Sequence, residues 1–404
     1  MRLAGWKRLA FTGLCLIVWR ALDQVTVVGI NGNAISDRLQ FVNNSDLLHA
    51  LGSGTPLSQY SVVAMGITSY IYALLIVFLL HMCSERIRTM ESTPDGRLQL
   101  RRWTRALAIA LAFGQAYGWT VLLQQGSELP AQMEWFPRVV GMLELTTGTM
   151  ILVFLADVID DFGLGFGYGA FLIYALIPVA NEVHRLAETV SFAPSAEALY
   201  KPLVVWALFS IGLVAATVAV LLAVRRVVLI TDRKKNSGQP VVLKVLMSGV
   251  LRPTAFALAV LSFPAIFAGS VATPNSGLAK LAEAWSTYGV NPWIDIAYMV
   301  VEVVLVMAFV YGIVFFEFLW SQHINRDLWA PIYRLTFIGG AFLALAVGVL
   351  PVLEQIASGA AGMTISMSGF DVVLVTAVIL AVVASLEGSG SRRATLPVPA
   401  TYMP

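Results

Sequence analysis

Long apolar runs separated by short polar segments dominate the chain. Ten runs stand out, at roughly Leu9–Gly29, Ser61–Met82, Ala106–Leu123, Val139–Ala156, Leu164–Ala180, Leu203–Val224, Gly249–Val271, Ile294–Trp320, Leu335–Leu353 and Phe370–Leu386. Each is close to the twenty or so residues that carry a helix across a bilayer. The pattern predicts an all-α polytopic membrane protein with ten transmembrane helices. The first run has a basic start at Trp6-Lys7-Arg8, but it is long and lacks a clean small-residue cleavage site. It reads as a retained span rather than a cleaved leader.

The polar segments carry three weaker signals. Ser45-Asp46-Leu47-Leu48-His49-Ala50-Leu51-Gly52 has a capping serine, Leu47, Leu48 and Leu51 on one face, and a terminating glycine. It predicts a short amphipathic helix outside the membrane proper. Two apolar runs, Val227–Ile230 and Val241–Leu243, flank the polar turn Lys234-Lys235-Asn236-Ser237-Gly238 and predict a basic hairpin. The segment 387–404 is polar, contains three prolines and predicts a disordered tail.

Composition agrees with the pattern. Of 404 residues, 58% are hydrophobic and 12% charged, against about a quarter charged in soluble domains. Mean hydropathy is +0.78. A soluble globule, a coiled coil and a disulfide scaffold are excluded. A net charge of +2 gives no footprint for nucleic acid.

The placement of charge fixes direction. With a cytoplasmic N-terminus, 19 of the 26 basic residues fall on the inner side. They include Arg2, Lys7 and Arg8, the group from Arg86 to Arg105, the group from Arg225 to Lys244, Arg326, Arg334, Arg392 and Arg393. Five face outward. The asymmetry predicts ten spans with both termini cytoplasmic. Five spans precede the outer loop near Pro194 and five follow, so any relation between the halves is inverted in the membrane.

Candidate chemistry is sparse. Four scattered histidines offer no metal site. Cys15 and Cys83 fall at different depths, which disfavours a disulfide. Gly163, Gly165, Gly167 and Gly169 have no following lysine, and Asp157, Asp160 and Asp161 would repel phosphate. They predict a tight turn with close backbone packing. Glu144, Asp295 and Glu302 lie in or near spans without clustering. Arg20 reads as snorkelling or paired.

Several motifs together resemble the SecY family, the central subunit of the Sec protein-conducting channel. The second span reads Ser61-Val62-Val63-Ala64-Met65-Gly66-Ile67-Thr68-Ser69-Tyr70-Ile71 after a Gly-rich approach, Gly52-Ser53-Gly54. This is similar to the family's Ser-Ile-Phe-Ala-Leu-Gly-Ile-x-Pro-Tyr-Ile. Leu145-Thr146-Thr147-Gly148-Thr149 resembles Leu-Thr-Ala-Gly-Thr. Asp161-Phe162-Gly163-Leu164-Gly165-Phe166-Gly167 resembles Gly-Ile-Gly-Asn-Gly. Trp6-Lys7-Arg8, Gly96-Arg97, Thr104-Arg105 and Arg334-Leu335-Thr336 also fit, so the likeness runs over nearly the whole chain.

The resemblance implies two inverted five-helix halves, 1–190 and 200–386, with a lateral gate between the second and seventh spans. It implies an apolar pore ring of Ile67, Ile71, Tyr168, Leu172, Ala255 and Leu374. The segment 45–58, with Ser45, Leu47, Leu48, Leu51 and Gly52, would be the plug. Arg225, Arg226, Arg233, Lys234, Lys235, Arg326 and Arg334 become candidate docking residues for a cytosolic partner. The implied partners are a SecE-like clamp, a SecG-like subunit, secretory substrates, and a SecA-type ATPase or ribosome. No enzyme activity, metal or cofactor is implied. A small-solute or ion transporter and a non-conducting SecY-derived scaffold are the alternatives.

The chain also departs from the family pattern. Ser69 stands where the family usually has proline, Arg252 lies near the expected gate, and Val27-Val28-Gly29-Ile30 replaces Pro-x-Pro-Gly-Ile. Trp320–Arg334 is short and lacks the family's docking stretch. These features predict a divergent or specialised member.

Overall fold

The computed structural model describes residues 5–25, 27, 61–126, 135–163, 169–171, 173, 252–253, 255–257, 259–261 and 292–314, with scattered helical positions between 204 and 219. Among the described residues every extended element is a helix. They are α1 (Gly5–Leu22), α2 (Thr68–Cys83), α3 (Glu85–Ser92), α4 (Pro94–Gly126), α5 (Trp135–Phe162) and α6 (Pro292–Val314). The chain divides into two compact units. One comprises Met1–Tyr174, Leu258–Tyr298 and Pro399–Pro404, the other Ala175–Ala257 and Met299–Val398.

The helices of the first unit are built as hydropathy predicts, with informative differences at their ends. α2 starts at Thr68, not at Ser61 as its apolar run suggests. Residues 62–67 form consecutive turns instead. Gly66 has φ 58°, a left-handed value that glycine tolerates and that interrupts a right-handed helix. α2 ends at Cys83, ahead of Ser84, whose backbone is extended, and the polar run Glu85–Ser92 forms a separate helix that hydropathy does not reveal.

α4 is 33 residues long, about 50 Å at 1.5 Å per residue. It starts twelve residues before its apolar run. The reason is local. Thr93 Oγ1 accepts the Gly96 N–H at 3.2 Å, and Pro94 occupies the first helical position. A capping threonine followed by proline is a strong helix start, and the arginines that follow are good helix formers.

Within the first unit, α4 packs against α2, α3 and α5, and α1 packs against α5. α5 buries Leu145, Leu152, Val153, Ala156 and Ile159 while exposing Leu143 and Phe154. α1 likewise exposes Leu9, Leu14 and Ile17 while burying Thr12, Cys15 and Trp19. Helices apolar on both faces suit a lipid surround. Arg138–Phe162 is long and apolar enough to cross a membrane, and Thr68–Cys83 and Val300–Ile313 are shorter apolar helices. Cys15 and Cys83 are both free thiols.

In the second unit, the Phe256 ring meets Phe309 of α6 at 5.7 Å, edge to face. Ala255, Ala257, Val306, Val310 and Ile313 are buried. The ninth and tenth spans, the basic hairpin and the tail lie outside the described residues, as do the limits of the two predicted halves.

Candidate functional site

The segment 61–71 holds the described part of the candidate ring. Ile67 precedes α2 with φ −102° and ψ 8°, and Ile71 lies within its first turn. The Ile71 N–H donates to the Ile67 carbonyl at 3.2 Å, so the two side chains are stacked one turn apart. Both are buried, at 0% and 1% exposure. Ala255 is also buried, in the second unit. Tyr168, Leu172 and Leu374 lie outside the described residues. So do the plug residues Ser45, Leu47, Leu48, Leu51 and Gly52, and the basic residues Arg225, Arg226, Arg233, Lys234, Lys235, Arg326 and Arg334.

Three sets of contacts hold the turns and the start of α2. First, the end of α1 meets them. Ser61 Oγ donates to Asp23 Oδ1 at 3.1 Å, and the Val62 N–H donates to the Val25 carbonyl at 2.8 Å. Arg20 pairs with the other oxygen of Asp23. Arg20 therefore reaches a partner, while 40% of its side chain stays exposed. Second, α5 presents Gly148 to the turns. A Cβ there would lie 1.9 Å from the Val62 carbonyl oxygen, so only glycine permits this approach. Third, Ser69 in α2 donates to Gln115 of α4. Both are buried. A residue that departs from the family pattern thus ties two helices together.

The Leu145–Thr149 motif now has a physical account. Thr146 and Thr147 donate back to the carbonyls of Met142 and Leu143, both at 2.7 Å, which leaves no loose hydroxyl at those positions. Leu145 and Thr149 are buried, and Gly148 receives the turns.

A charged fork fastens the other end of α4 and α5. Arg101 Nη2 donates to Asp157 Oδ1 at 3.0 Å, and Arg105 pairs with Oδ2. The carboxylate accepts from two guanidinium groups, a strong charge-assisted arrangement. Arg101 and Arg105, both assigned to the inner loop, are therefore engaged within the protein. Gly163 and Gly169, the described ends of the glycine-rich segment, are closely packed. A Cβ on Gly163 would lie 2.5 Å from Thr12 Oγ1, and one on Gly169 would lie 2.3 Å from the Ala156 carbonyl oxygen. The Gly169 N–H donates to Asp160 Oδ1 at 2.7 Å.

Sequence reasoning did not find Asp23 or Gln115. Asp23 only interrupts an apolar run, and its partner is 38 positions away. An acidic residue three positions after an arginine was the available signal.

This apolar helical scaffold suits a membrane protein, and the comparisons with known proteins specify its family. Residues 61–328 match the profile of the SecY family. The chain belongs to the SecY family. The protein translocase subunit SecY of Staphylococcus epidermidis is 25% identical over 96% of this chain and 95% of its own. That of Bacillus subtilis is 28% identical over 86% and 85%, and that of Chlamydia trachomatis 27% over 93% and 91%. A solved structure, studied for how the plug domain of the SecY protein stabilizes the closed state of the translocation channel and maintains a membrane seal, superposes with a TM-score of 0.59. It covers 98% of this chain and 96% of its own at 14% identity, a likeness of fold.

Proposed function

We propose that this protein is the pore-forming subunit of a SecY-like protein-conducting channel in the cell's inner membrane. The observation that carries the reading is the family match over residues 61–328, which includes the whole turn-to-helix segment around Ile67 and Ile71. A channel subunit of this kind moves proteins and is not an enzyme. The work comes from a partner, a SecA-type ATPase or a ribosome, or from the proton-motive force. A SecE-like clamp and a SecG-like subunit complete the assembly.

In this reading ten helices form two inverted halves with both termini cytoplasmic. Ile67, Ile71, Tyr168, Leu172, Ala255 and Leu374 line the constriction. An apolar ring wets poorly and resists ions, yet offers a passing extended chain no lasting hydrogen bonds. The segment 45–58 plugs the outer side, and apolar substrate segments leave sideways between the second and seventh spans. The basic residues from Arg225 to Lys235, with Arg326 and Arg334, face the cytosolic partner.

A photo-crosslinker placed at Ile71 or Leu374 in membranes supplied with motor and a secretory chain tests this. Adducts to the chain in transit are expected at both positions. Their repeated absence, with activity intact, would favour the non-conducting scaffold, a reading that the short Trp320–Arg334 segment also suits. Solute flux lost on Glu144→Gln or Glu302→Gln would instead favour a transporter.

A further inference from the structure

The turns over residues 62–67 are not helical. Their internal hydrogen bonds are short-range: Ala64 N–H to the Ser61 carbonyl at 3.0 Å, and Gly66 N–H to the Val63 carbonyl at 2.8 Å. No α-helical ladder runs through them, so anchors outside the segment set their shape. One of those anchors is Asp23. Its side chain has no exposure, accepts from Ser61 at 3.1 Å and pairs with Arg20. Two residues on, Val25 receives the Val62 N–H, and Val27 lies against Gly141 of α5, 4.0 Å from where a Cβ would sit.

An acidic side chain in or beside a membrane span is costly and persists where it has a task. An uncharged residue could end α1. The carboxylate adds two directed, charge-assisted bonds, one to the residue that begins the turns and one to the helix that precedes them. We propose that Asp23 is a positioning residue for the 61–67 turns, fixing where Ile67 sits at the foot of α2. Its importance to a channel rests on the reading of Ile67 as part of the constriction; the placement itself does not.

The test uses Ile67→Cys in the full chain carrying Cys15→Ala and Cys83→Ala, in native membranes, with maleimide labelling as readout. Leu145→Cys, buried in α5, reports general opening. With Asp23→Ala, labelling at position 67 is expected to rise about tenfold, the shift that follows loss of a hydrogen bond to a charged group. Position 145 stays protected. Ser61→Ala removes one of the two bonds and is expected to move position 67 in the same direction. Asp23→Asn keeps an acceptor for Ser61 and is expected to fall between wild type and Asp23→Ala. Unchanged labelling at 67 in both Asp23→Ala and Ser61→Ala overturns the proposal, as does a parallel rise at 67 and 145. No secretory chain is needed, so missing crosslinks at Ile71 would remove the channel reading and leave this result standing.

Discussion

Gly148 has no side chain because the Val62 carbonyl already occupies the place where a Cβ would be. Gly114 on α4 has nothing within 4 Å of that place. The two glycines therefore respond oppositely to the same substitution. Gly148→Ala is expected to lower stability by about 1–3 kcal/mol through overpacking. Gly114→Ala is expected to leave it unchanged or raise it by about 0.5–1 kcal/mol, since alanine suits a helix interior better. Thermal unfolding in mild detergent compares them; equal shifts would contradict the packing at Val62. Ser69 makes a similar point. Ser69→Ala strands part of a buried amide on Gln115 and is expected to cost about 1–3 kcal/mol in the same assay. Gly148 was visible in the sequence as part of a motif. Its reason was not, because the oxygen it accommodates is 86 positions away.

At the scale of elements, local chemistry decided where helices begin and end, and hydropathy decided only which of them are apolar. α4 extends beyond its apolar run because Thr93 caps it and Pro94 opens it. α2 is shorter than its apolar run because Gly66 adopts a left-handed backbone. The charged extension of α4 then acquires a structural task through Asp157. Either arginine alone can still hold that carboxylate. Asp157→Ala is therefore expected to destabilise the α4–α5 pair more than Arg101→Ala or Arg105→Ala singly, by about 1–3 kcal/mol for a partly buried charged pair. Thermal melts of the three variants decide it; equal losses would mean that each arginine is indispensable.

For the whole molecule, the uneven distribution of basic residues makes a sharp prediction. A membrane-impermeant maleimide applied to intact cells should label Arg38→Cys but not Arg392→Cys, and should reach both after permeabilisation. Labelling of Arg392→Cys from outside would reverse the assigned direction. The same distribution needs one refinement at finer scale. Arg101 and Arg105 count toward orientation, yet both are also engaged by Asp157 within the protein.

The sequence by itself determined that this chain belongs in a membrane and how its apolar runs are spaced, and it predicts which side carries the positive charge. These properties depend on stretches of about twenty neighbouring residues meeting lipid or water one at a time. Recurring motifs in order also pointed to the family. Only the tertiary structure decided that Asp23 holds Ser61, that Gly148 makes room for Val62, that Ser69 finds Gln115, and that the second span opens with turns rather than helix. The first three are contacts between residues far apart in the chain, whose energy exists only once separate elements are packed within hydrogen-bond or van der Waals range; the fourth turns on the left-handed backbone of Gly66.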